Sequence, residues 1–192
     1  DGIDTIAADT VDSIPSGVEF EFMTDVALPV PIAVAAAWMG LDINAARLLC
    51  EESPAITRML TDSSDTIAIE KGLDALATLL TEFLPLAADR RRRPGDDLLS
   101  FIAAHPALQL DDVVTTASIV AIAGHETTAN LLGAIMIRLM TAQPDGTRPV
   151  DTVNTIDGPL ITELLRLDAP AQAVVRTATR DHVINDVKIH AG

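Results

Sequence analysis

Apolar residues recur at helical spacing through most of this chain. Ile3, Ile6, Ala7 and Val11 share a face across residues 3–14, predicting the end of an amphipathic helix that Pro15-Ser16-Gly17 breaks. Val18, Phe20 and Phe22 then alternate with acids over a brief stretch. Pro29 and Pro31 open a helix over Ile32–Met39 and Gly40 closes it, the expected order of proline before and glycine after a helix. Asn44 caps a helix to about Cys50, which Pro54 breaks or kinks. Residues 66–90 have the cleanest period, with Ile67, Leu73, Leu76, Leu79, Leu80 and Phe83 on one face. The basic run Arg90–Arg93 ends that helix and complements its macrodipole. A short helix starts at Asp96-Asp97-Leu98-Leu99. Asp111 or Asp112 caps a long helix that reaches about Met140, roughly 45 Å at 1.5 Å per residue. Gln143–Asp157 reads as a loop, and residues 158–168 as a helix. Val174, Val175, Val183, Ile184, Val187 and Ile189 suggest two short strands that turn at Asn185-Asp186.

The long helix carries the unusual pattern. It is apolar nearly all round, which predicts burial, yet its middle reads Ala123-Gly124-His125-Glu126-Thr127-Thr128. A buried acid and two hydroxyls need hydrogen-bond partners or a task. A mid-helix glycine costs roughly 1 kcal/mol relative to alanine, so a bend near Gly124 is expected. Glu126 and Thr127 are adjacent and point roughly 100° apart, so one can face a cavity while the other reaches water or an ion pair. The plain structural alternative is a helix whose threonines bond back to carbonyls one turn earlier. His125 is expected to face solvent.

Composition narrows the setting. An apolar share of 48% built on Ala, Leu, Ile and Val favours packed helices over a sandwich. A formal charge of −15 argues against nucleic acid and against an anionic membrane surface. The single cysteine, Cys50, excludes an internal disulfide framework, fits a reducing cytoplasm, and reads as a small buried hydrophobe. No signal peptide or uninterrupted spanning run stands out, so a cytoplasmic protein is expected. No histidines lie at metal-ligand spacing, and no metal site is expected.

Three motifs occur in order. Ala123-Gly124-His125-Glu126-Thr127-Thr128 resembles the oxygen-activation signature on the central helix of the cytochrome P450 family. Glu163-Leu164-Leu165-Arg166 is similar to the family's Glu-x-x-Arg pair. Pro170, Arg176, Ala178 and Asp181 resemble its Pro…Arg-x-Ala-x-x-Asp continuation. One six-residue match would be weak; three in sequence are specific. The resemblance covers nearly all of residues 1–192, read as one partial cytochrome P450-like domain of the soluble bacterial class. It implies a mainly α fold with a small β element near the C-terminus, and makes Val18–Phe22 a connector into a helix.

The resemblance also implies roles. Thr127 corresponds to the residue that bonds iron-bound dioxygen and helps deliver protons, and Glu126 to its link to solvent. Ala123 and Gly124 line the heme, and Arg176 holds a heme propionate; an arginine fork suits a carboxylate. Glu163 and Arg166 form a structural pair at i, i+3. The family is a heme-dependent monooxygenase of small organic molecules, fed electrons by a ferredoxin-type redox partner. Its heme-ligand cysteine lies on a loop beyond the Arg-x-Ala-x-x-Asp segment. Cys50 stands far upstream, and the chain stops at Gly192. The expectation is therefore a portion of such an enzyme that holds no heme and is inactive alone, with apolar faces that drive self-association. An alternative is a heme-free relative: a biosynthetic helper of the glycosyltransferase-activator type, or a cofactor-free acid–base or cyclisation enzyme using Glu126 and Thr127.

Overall fold

The computed structural model describes residues 2–62, 64–174 and 176–192. Among them seven α-helices precede one antiparallel hairpin. They are α1 (Gly2–Asp12), α2 (Pro29–Met39), α3 (Ile43–Thr61), α4 (Thr66–Arg92), α5 (Leu98–Ala103), α6 (Leu110–Met140) and α7 (Gly158–Leu167), then β1 (His182–Ile184) and β2 (Val187–Ile189). A single π-helical turn, Met23–Ala27, leads from the Val18–Phe22 connector into α2.

The core lies among α2 to α6. Leu49 and Ile56 of α3, Leu79 and Phe83 of α4, Leu99 of α5, and Val113, Val114 and Ile122 of α6 meet there. α3 and α4 pack through small residues. A Cβ on Gly72 would fall 2.4 Å from Met59 Cβ, so only glycine admits this approach. The predicted face of α4 holds at Leu76, Leu79, Leu80 and Phe83, which join the core, and fails only toward its start. Ala68, Gly72 and Ala75 are buried, while Ile67 and Leu73 are exposed. Close helix contact rewards small side chains here more than large ones.

Local chemistry moves several boundaries. Asp42, not Asn44, caps α3, its carboxylate accepting from Asn44 N and Ala45 N at 3.0 and 2.9 Å. Pro54 does not end that helix. It sits on the exposed side, where the carbonyl it leaves unpaired can reach water. Asp65 caps α4 and Asp97 caps α5. Gln109 rather than Asp111 or Asp112 begins α6, with Asp112 one turn in, its carboxylate accepting from Gln109 N at 3.0 Å. Gly40 closes α2 at φ 67°, a conformation that favours glycine.

The arginine run does more than offset a dipole. Arg90 pairs with Asp97 at 2.9 Å and donates to Gly40 O at 3.2 Å. Arg91 donates to Ala103 O at 2.8 Å and Leu108 O at 2.7 Å. The end of α4 is thereby tied to the corner after α2 and to both ends of α5.

The last part of the chain is packed differently. α7 buries Leu164 alone among its residues. The hairpin pairs His182 with Ile189 and Ile184 with Val187, turning through Asn185 and Asp186 at φ 47° and 64°. Val183, Ile184, Val187 and Ile189 are all exposed. Val174 lies in irregular backbone rather than a strand, and Val175 is outside the described residues.

Candidate functional site

α6 is one unbroken helix, as its pattern predicts, but it is not largely buried. Val113, Val114, Ala117, Ala121, Ile122, His125 and Ala129 face the core. Ile119, Val120, Ala123, Gly124, Thr127 and Thr128 face outward and are exposed. The helix's length and apolar character would let it cross a membrane by composition alone. Here it is enclosed on one side by α2 to α5, and its other side stays open.

That open side holds three of the expected site residues. Ala123, Gly124 and Thr127 follow at i, i+1 and i+4 and share a face. A Cβ added at Gly124 would meet no atom within 4 Å. The Thr127 hydroxyl donates to Ala123 O at 2.9 Å, and Thr128 donates to Gly124 O at 3.0 Å. These are the back-bonds that satisfy a threonine inside a helix. With its proton so engaged, the exposed Thr127 Oγ1 retains acceptor capacity.

Gly124 and Thr128 also edge an apolar groove of about 390 Å³ between α2 and α6. Val34, Trp38 and Met39 of α2 form its far wall and Val120 its near one. Trp38 is 72% exposed, an uncommon placement for the chain's single tryptophan.

Glu126 takes the neighbouring direction. It lines a separate groove of about 350 Å³ between α3 and α6, with Thr57, Arg58, Thr61 and Asn130. The geometry thus separates Thr127, on an apolar open face, from Glu126, in a polar groove that reaches solvent. His125 is 2% exposed, against the expectation that it faces solvent. Its Nδ1 lies 3.1 Å from Ala121 O, a bond that makes a buried imidazole tolerable.

Glu163 and Arg166 form the expected pair, with Nε–Oε2 2.8 Å and Nη2–Oε1 2.7 Å. The pair lies on the surface, because α7 has no element packed over it. The bond from Arg166 holds the Glu163 carboxyl below its ordinary value. Arg176 lies exposed in the irregular backbone after α7. A second ion pair, Arg138 with Asp168, was not anticipated from sequence. Its signal was present: an arginine on an otherwise apolar helix face calls for a carboxylate.

The fit to a heme can be tested on these residues. The small-residue face at Ala123 and Gly124, open to space, fits a flat ring. An axial thiolate is another matter. Cys50 is half-buried on α3, and burial, then Glu51 and Glu126, push its thiol up. That environment opposes a thiolate. Among the described residues no cluster of three His, Cys, Asp or Glu side chains is placed to hold a metal ion.

No protein-family model matches the chain. Curated relatives do. A steroid C26-monooxygenase of Mycolicibacterium smegmatis is 28% identical over all of this chain and 49% of its own length. Cytochrome P450 107B1 of Saccharopolyspora erythraea is 29% identical over 99% of this chain and 46% of its own. Among solved structures, ligand-free CYP164A2 of Mycobacterium smegmatis superposes with a TM-score of 0.82 at 28% identity, covering all of this chain and 51% of that one. P450BioI in complex with a fatty-acyl carrier protein gives 0.82 at 25% identity, covering 99% and 49%. This chain spans about half the length of the relatives it matches.

Proposed function

We propose that this chain, homologous from end to end with about half of a bacterial cytochrome P450, is the part of such a monooxygenase that walls one face of the heme. The observation carrying this reading is the open face of α6, where Ala123, Gly124 and Thr127 stand in line beside an apolar groove. Bound heme would supply the oxygen activation. This chain's own residues would do the rest of the work on that side.

Ala123 and Gly124 offer a surface without side-chain bulk, against which a planar group can lie. Thr127 presents Oγ1 to that surface while its proton is held by Ala123 O, so it accepts a hydrogen bond before it donates one. Glu126, one residue away, opens to solvent through the α3–α6 groove and is placed to exchange protons with water. Arg176 would meet a heme propionate. The apolar groove suits a small organic substrate or the ring edge. The whole domain, a ferredoxin-type electron donor and a cytoplasmic setting follow from the same reading. Because Cys50 is a poor thiolate, the chain itself retains no heme, yet its wall takes up added hemin weakly.

Trp38 reports on that wall. Titrated hemin should quench its fluorescence saturably. Gly124→Phe, whose Cβ meets no atom within 4 Å, should weaken the titration at least about fivefold by filling the face. The reduced, carbon-monoxide-treated mixture should lack a thiolate-type Soret band. Equal hemin binding by the Gly124→Phe chain would remove the wall assignment, and a thiolate band lost in Cys50→Ser would overturn the reading of Cys50.

A further inference from the structure

Arg138 lies in the last turn of α6, thirty residues before its partner Asp168. Its Nη2 donates to Asp168 Oδ1 at 2.8 Å and its Nε to Oδ2, a planar two-point pair. Asp168 is the residue at which α7 ends, its own N–H bonding Leu164 O. A carboxylate at a helix C-terminus opposes the macrodipole and calls for a cation. Beneath the pair, α6 and α7 do not fill the space between them. A groove of about 420 Å³ lies there, lined by Ala134, Ile137, Arg138, Thr141, Gln143 and Asp168. α7 contributes only Leu164 to buried packing. Polar pairing rather than apolar contact therefore holds this junction. The charge of Arg138 adds, after the bond and charge of Arg166, to what holds the Glu163 carboxyl below its ordinary value.

We infer that the Arg138–Asp168 pair is a positioning clasp that fixes α7, and with it the segment carrying Arg176, against the last turn of α6, the helix whose middle carries Thr127. Its meaning for a heme rests on the function proposed above; the clasp itself does not. Hydrogen–deuterium exchange of the α7 amides tests it in the intact chain. Arg138→Gln and Asp168→Asn should each speed exchange across residues 158–167 about three- to fivefold, with α4 unchanged, the scale of a well-aligned exposed pair. Exchanging the charges, Arg138→Asp with Asp168→Arg, should return the rate to within about twofold of the parent chain. Unchanged α7 exchange in the single variants, or no rescue in the exchanged pair, overturns the clasp. Failure of hemin to bind the α6 wall would instead count against the heme reading and leave the exchange result standing.

Discussion

Gly72 and Gly124 sit in the middle of long helices for opposite reasons. At Gly72 the neighbouring helix comes so close that a methyl group would collide with Met59. At Gly124 nothing stands within reach. Gly72→Ala should therefore destabilise the chain by about 1–3 kcal/mol through overpacking. Gly124→Ala should stabilise it by up to about 1 kcal/mol through helix propensity. Chemical denaturation of the two variants decides, and a shift of the same sign in both would contradict the account. Thr127 and Glu126 were legible in sequence as a pair pointing two ways, because adjacent residues on a helix must diverge. Their surroundings were not legible. An apolar sequence does not say which of its faces a partner element covers, so burial was expected where the structure leaves Ala123, Gly124 and Thr127 open. His125 shows the converse error. A polar residue in a polar-looking motif reads as exposed until the fold places its ring against the core, where one bond to Ala121 O satisfies it.

At the scale of elements, most helices could be read from spacing and caps, and α6 appears as one continuous helix ending at the predicted Met140. Boundaries failed where tertiary setting overrides local rules. Of a break or a kink at Pro54 the break is excluded, since α3 runs on to Thr61 with Pro54 on its exposed side, and Asp42 outcompetes Asn44 as a cap. The first turns of α4 bury Ala68 and Gly72 rather than Ile67 and Leu73, because close packing there selects small residues that a periodic pattern weighs little. α7 is the element whose anchoring is most electrostatic. Asp168 is held below the ordinary carboxylate range by the bond from Arg138, and Glu163 by the bond from Arg166 and then by the charges of Arg166 and Arg138. Groups lowered in the folded state contribute stability above their ordinary pKa and lose it as pH falls through the lowered value. Protection of the α7 amides, corrected for intrinsic exchange, should thus hold near neutral pH and fall in acid before that of α4. Loss of both at the same pH would argue that α7 is anchored by packing instead.

The molecule as a whole is open. It exposes 12808 Å², where a compact monomer of 20.3 kDa exposes about 8,800 Å². Much of the excess is apolar, including Trp38, Ile137, Leu165, Val183 and Val187. Surfaces of this kind drive association, and the negative charge of −15 opposes it only in part. Sedimentation velocity across a wide concentration range should show reversible self-association that strengthens with salt, as screening removes the repulsion. A compact monomer at every concentration would contradict this.

The central claim is that the open face of α6 is a wall for heme. Thiol labelling tests it most directly, with Cys50→Ser as background. Ala123→Cys, on the open face, should react with a maleimide quickly, and Ala129→Cys, at 0% exposure on the opposite face, slowly. Hemin should then protect the thiol introduced at 123 and leave unaffected one introduced by Asp74→Cys on the exposed side of α4. Selective protection at 123 is the predicted result. Equal labelling at 123 with and without hemin, or equal protection at 74, would contradict it.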